Sequence, residues 1–206
     1  MTATQRAWQL EFKGDAATVL LQTISSFLDK QRNPYSRQAT IVNSSGTGKS
    51  RMVDQLARKI ITVPMCLRPE ESDGDTFSHS IWCAPNPVLK GYPPPDGPLL
   101  SWLLSGDSRD QITVQKRLFG FVYALLTVTR TKLKTIRVDD PTEEKDKLTE
   151  TDVEIRQAKL ASAFRDLMTK GQSYKRPNDY RVDFYKEVIR VASEVSFCGF
   201  PHFWRG

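Results

Sequence analysis

Lys49 and Ser50 are the residues of this chain whose types and spacing best suit a defined chemistry. They fall near the end of the run Asn43-Ser44-Ser45-Gly46-Thr47-Gly48-Lys49-Ser50-Arg51, which approaches the G-x-x-x-x-G-K-[ST] pattern of a phosphate-binding P-loop. Small residues let a backbone curl so that successive N–H groups point inward at an anion. A helix opening near Lys49 would aim its own N–H groups and positive dipole end at the same charge. In this reading the Lys49 ammonium reaches the β- and γ-phosphates of a nucleotide, and the Ser50 hydroxyl is a ligand of Mg²⁺. Asn43 stands where a first glycine is usual. Asparagine tolerates left-handed backbone better than most residues, so the match is weakened rather than broken.

Gly-Lys-Ser alone is common by chance, and an ordinary strand–loop–helix connection would also contain it. Its weight comes from the flanking elements. Ala39 to Val42 is a short apolar run that reads as a strand, and Met52, Val53, Leu56, Ala57 and Ile60 share one face of a helix after the loop. Upstream, Asp15 can cap a helix to about Lys30, with Val19, Leu20, Ile24, Phe27 and Leu28 at helical spacing. Downstream, Ile60 to Leu67 (IITVPMCL) reads as a second strand, with Pro64 marking an edge or a bulge. These elements predict an α/β fold of the P-loop NTPase type, with a small, partly incomplete parallel sheet.

The stretches SSGTGKSR, MVDQLARKI, VPMCLRP and GYPPPDGPLLSWL resemble a group of fungal hypothetical proteins with a divergent P-loop. Those proteins are similar in turn to the ATPase domains of Crinkler-type proteins. The resemblance covers roughly Gln38 to Leu104, about a third of the chain. It implies an ATPase or an ATP-dependent switch domain, and it carries over only Asn43 to Arg51 as phosphate-binding positions. It assigns no chemistry to the PPPD stretch.

At 206 residues, one domain with a helical extension is expected. The expected division is a lead over 1–14, a nucleotide-binding core over 15–138, a charged linker over 139–151 and a helical part over 152–206. A net charge of +6 favours polyanions, but acidic residues are also plentiful, and a soluble basic protein explains the balance. Cys66, Cys83 and Cys198 are odd in number and far apart, with only His79 and His202 to assist a metal. Zinc and disulfide frameworks are therefore not expected, and reduced thiols fit an intracellular compartment, cytoplasmic or nuclear. The N-terminus has no apolar signal region, and Leu118 to Val128 is too short to span a membrane.

Pro69 to Pro98 is proline-rich and acidic, and two readings of it stand: a rigid connector, or a lid or protein-docking loop. A short strand at His79 to Cys83 is expected within it. Asp96 closes the polyproline run Pro93 to Pro95 and is placed to cap a helix over Pro98 to Leu104. A long helix follows, roughly Arg109 to Thr135, with Ile112, Val114, Leu118, Phe121, Val122, Leu125 and Leu126 as its buried stripe. Arg130, Lys132, Lys134 and Arg137 at its end lack interleaved aromatics and read as a solvated end rather than a nucleic-acid site. Two more helices are expected, over about Asp152 to Thr169 and Asn178 to Glu194. The aromatic terminus SFCGFPHFWRG has nothing after it to cover it.

Half of a hydrolytic site is missing. Such a site needs a second acid at the end of an apolar strand, and the nearest match is Asp139 or Asp140 after Ile136-Arg137-Val138. With two or three strands in place of four or five, the chain reads as the N-terminal part of a longer ATPase or a shortened relative. Three functional readings stand: a binding module for ATP or, less favoured, GTP with Mg²⁺; a small phosphotransferase; and a non-enzymatic interaction protein with a degenerate loop. The phosphotransferase would need an Arg-bearing lid and an acid to activate the acceptor; Arg51 lies beside the loop and Asp54 on the helix, but no Arg-rich lid stands out.

Overall fold

The computed structural model describes residues 10–28, 41, 48–67, 94–105, 110–138, 149–172 and 176–197. Among them are six helices: α1 (Ala16–Leu28), α2 (Lys49–Leu56), α3 (Gly97–Leu104), α4 (Gln111–Thr135), α5 (Glu150–Thr169) and α6 (Asp179–Phe197). No strand occurs among the described residues, so the expected α/β architecture with a parallel sheet is replaced by an all-α one. None of these helices is long and apolar enough to cross a membrane.

The second expected strand shows why. Residues 61–67 are irregular, and three of the segment's backbone groups are paired outside it. Cys66 N donates to Asp96 Oδ2 at 2.8 Å, Asp96 N donates to the Cys66 carbonyl at 2.9 Å, and the Tyr185 hydroxyl donates to the Pro64 carbonyl at 2.6 Å. Pro64 brings no N–H of its own. β-Branched residues gave Ile60 to Leu67 its strand character, but tertiary partners took the hydrogen bonds a ladder would need. Of the first expected strand only Ile41 is described, and it is irregular and exposed. His79 to Cys83, most of the Pro69 to Pro98 stretch, Asp139 and Asp140 lie outside the described residues, and Ile136 to Val138 are irregular.

The chain divides into two units, one from residues 1–62 and 138–165, the other from 63–137 and 166–206. In the first, α1 packs on α2, with Ala17, Leu56 and Ala57 buried and Lys59 Nζ donating to Thr18 Oγ1 at 2.7 Å. Most of α5 belongs here as well. Its start is a reciprocal capping box: Thr149 N donates to Asp152 Oδ2 at 3.0 Å and Asp152 N to Thr149 Oγ1 at 3.2 Å. Asp152, expected at the helix start, sits inside the first turn instead.

In the second unit α6 is the helix on which α3 and α4 both pack. Phe184, Tyr185, Val188 and Ala192 are buried at helical spacing along it. Asn178 caps its start, accepting from Arg181 N at 2.9 Å, while its amide donates to the Leu167 and Lys170 carbonyls at 2.7 and 2.8 Å. One side chain thus closes the end of α5 and opens α6. Gly171, at φ 80, supplies the left-handed turn that lets the chain leave α5. Trp102 on α3 donates to Ser193 Oγ at 3.1 Å and lies 6.4 Å from the Phe121 ring.

The expected stripe of α4 is half wrong. Phe121 is buried and Val114 and Leu125 are half-buried, yet Ile112, Leu118, Val122 and Leu126 are exposed. The packed face runs through Gly120, Phe121, Ala124 and Val128, whose small members allow close helix approach. Both faces of the helix are apolar, so periodicity alone could not choose between them.

Candidate functional site

Gly48 opens α2 with φ 84 and ψ 14, a left-handed conformation that an L side chain would strain. Its carbonyl accepts from Met52 N at 2.8 Å, so the helix starts at Lys49, where the sequence motif requires it. Gly48 has no side chain with which to cap this end, and the first turn carries no acid. The start of a helix concentrates backbone N–H groups and partial positive charge, which suits an anion. Lys49 stands at the first helical position, half-exposed, and Ser50 at the second, exposed. Asn43, Ser44, Ser45, Gly46 and Thr47 lie outside the described residues.

Arg51, the last residue of the motif, reaches the segment before α1. Its guanidinium donates to the Leu10 carbonyl and lies 5.7 Å from the centre of the Phe12 ring. Asp54, one turn further along α2, accepts both Arg165 nitrogens, Nε at 2.8 Å and Nη2 at 2.6 Å. Both members of that forked pair are largely buried. α2 is therefore held on three sides, by the lead segment, by α1 and by α5. Asp54 is thus engaged as a structural anion by Arg165. No cluster of three or more His, Cys, Asp or Glu side chains suited to a metal ion occurs among the described residues.

The other concentration of charge lies in the second unit. Asp96 does occupy the N-cap position of α3, but its carboxylate makes no capping bond. It accepts instead from Arg181, through Nε at 2.8 Å and through Nη2, and from Cys66 N. The pair is buried, 3% exposed at Asp96 and 0% at Arg181, and Arg181 Nη1 also donates to Gln172 Oε1 at 3.3 Å. Tyr185 beside it has its hydroxyl pKa pushed far up, first by burial and then by the Asp96 charge. An apolar cavity of about 190 Å³ adjoins these residues, lined chiefly by Pro95, Pro98, Leu99, Pro177, Val182 and Tyr185. The buried ionised and phenolic groups there spend their hydrogen bonds on the protein itself, so the cluster acts as a clamp on residues 63–67, α3 and α6.

Sequence reasoning missed Arg165 and Arg181, though a signal existed. Each lies on the apolar face of its helix, Arg165 beside Ala161, Phe164 and Met168, Arg181 beside Phe184, Tyr185 and Val188. A charge on a core-facing stripe implies a buried partner.

Residues 18–84 match a protein family described as a domain of unknown function (DUF8735). That span takes in most of α1, the glycine-containing loop and α2, about a third of the chain. No curated protein and no solved structure matches the chain.

Proposed function

We propose that the N-terminal end of α2, with the loop Asn43 to Gly48 leading into it, binds the phosphates of a nucleotide together with Mg²⁺. ATP is favoured over GTP by the resemblance to ATPase domains. One observation carries the reading: a left-handed glycine stands directly before a helix whose first two residues are lysine and serine and whose first turn has no acid. Lys49 would neutralise phosphate charge, and Ser50 would give one hydroxyl to a Mg²⁺ held otherwise by phosphate oxygens. The residues present fit an anion there, since small residues precede Gly48 and Lys49 is half-exposed.

The reading is one of binding, not of turnover. With no sheet among the described residues, no strand end presents an acid to a water molecule, and Asp54 is committed to Arg165. A non-enzymatic interaction protein is the second reading, favoured by the exposed apolar side chains Ile112, Val122 and Leu126 of α4.

Calorimetric titration of Mg-ATP and Mg-GTP into the full chain tests this, beside Lys49→Ala and Gly48→Ala. Micromolar binding is expected, weakened about a hundredfold in Lys49→Ala and about tenfold in Gly48→Ala. Equal or absent binding in the wild-type chain and Lys49→Ala would overturn the phosphate site.

A further inference from the structure

We propose that the outward face of α4 is a docking surface for an acidic amphipathic helix of a partner protein. The face opposite the one packed on α6 carries Ile112 (63% exposed), Phe119 (61%), Val122 (50%) and Leu126 (66%). In a seven-residue frame, Ile112, Phe119 and Leu126 occupy one position and Val122 lies three residues after Phe119, the spacing of a coiled-coil seam. A helix this apolar on both sides is normally covered on both sides. Scattered exposed hydrophobics need no explanation, but a row of them along two turns and more marks an interaction surface.

Charge selects the occupant. Residues 111–135 contain five Lys or Arg and no Asp or Glu. In the same frame Lys116 and Arg130 fall at one flanking position beside the seam, and both are exposed. Flanking charges at that position set partner choice in paired helices, and here they call for Glu or Asp on the other strand. A second copy of this chain would set cations against cations, whichever way the two α4 helices ran. An anionic membrane surface would satisfy the charge but not the heptad spacing, which a groove between side chains of a facing helix does satisfy.

The probe is a designed three-heptad peptide with Leu at the two seam positions and Glu at the flanking ones, labelled and titrated by fluorescence anisotropy into the full chain. Micromolar affinity is expected, at least about tenfold better than for the same peptide with Lys in place of Glu. Leu126→Ser should weaken it about tenfold, with the far-UV circular dichroism unchanged because the side chain is exposed. The charge swap Lys116→Glu with Arg130→Glu should reverse the preference, so that the Lys peptide binds better. Absence of binding by the Glu peptide would overturn the proposal, as would binding indifferent to Leu126→Ser and to the charge swap. Two further results would replace it: tighter binding to phosphatidylserine-containing vesicles that Leu126→Ser abolishes, or a dimer in sedimentation that Leu126→Ser dissolves.

Discussion

Asp96 illustrates how a residue's type can be read correctly and its use misread. Aspartate after polyproline and before Gly97-Pro98 is a helix-capping signal, and Asp96 does occupy that position. Its carboxylate is turned instead to Arg181, 85 residues away, because a buried guanidinium left alone would cost far more than an uncapped helix start. Breaking one side of this pair should therefore be severe. Asp96→Asn or Arg181→Met is expected to lower unfolding stability by about 3–5 kcal/mol, measured by urea denaturation. The double variant should cost less than the sum of the two, by about 1–3 kcal/mol. Additive losses would show that the two charges do not depend on each other. The contrast with Lys132 and Glu187 is instructive. That pair, at 2.8 Å, raises the Lys132 pKa through the carboxylate contact, but both groups are about a third exposed and solvent screens them.

At the scale of elements, the helices were legible and the strands were not. The helical stretches of α1, α4, α5 and α6 were placed to within a few residues of their observed bounds, but the buried faces of α1 and α4 only in part: Val19 and Phe27 on α1 are exposed, as are Ile112, Leu118, Val122 and Leu126 on α4. A β-branched run such as Ile60 to Val63 reports only a preference, which Asp96 and Tyr185 override by taking the backbone groups of Cys66 and Pro64. The start of α2 was legible for a local reason: glycine, lysine and serine are neighbours in sequence, and the helix opens at Lys49 after a left-handed Gly48. The partners that fix that helix, Leu10, Thr18 and Arg165, were not, since nothing local announces them. α4 shows what a cap contributes. Asp110 accepts from Ile112 N at 3.1 Å and from the Thr113 hydroxyl. Chiefly the Thr113 hydroxyl, with the Ile112 and Thr113 N–H groups, holds its carboxyl below the usual 3.8. A pKa lowered on folding contributes stability that is present above the unfolded-state value and is lost as pH falls through the folded one. Asp110→Ala is accordingly expected to lower Tm by a few degrees at pH 7, with the difference shrinking below about pH 3.8 and vanishing in stronger acid. A deficit that persisted in strong acid would mean that the carboxylate is not what stabilises the start of α4.

On the scale of the whole molecule, each unit is assembled from chain segments far apart in sequence, so local function depends on distant residues. The first unit is the clearest case, because Asp54 on α2 is neutralised by Arg165, 111 residues later. Asp54 stands five residues past Lys49, roughly 7–8 Å along a helix axis. At that range an uncompensated carboxylate repels each phosphate charge by about 1 kcal/mol at an effective dielectric constant between that of protein and water. Arg165 thus has two consequences for one contact: it ties α5 to α2, and it keeps the start of α2, the proposed phosphate site, electropositive. Arg165→Met, which keeps much of the apolar stem, is expected to lower thermal stability and also to weaken Mg-ATP binding about fivefold to tenfold. Restoring neutrality from the other side separates the two effects. In Arg165→Met with Asp54→Asn, nucleotide affinity should return to within about twofold of the wild type, while stability recovers only in part because the forked hydrogen bonds stay lost. If affinity stayed low in the double variant, the loss would come from displacement of α2, and the electrostatic account of this long-range pair would fail.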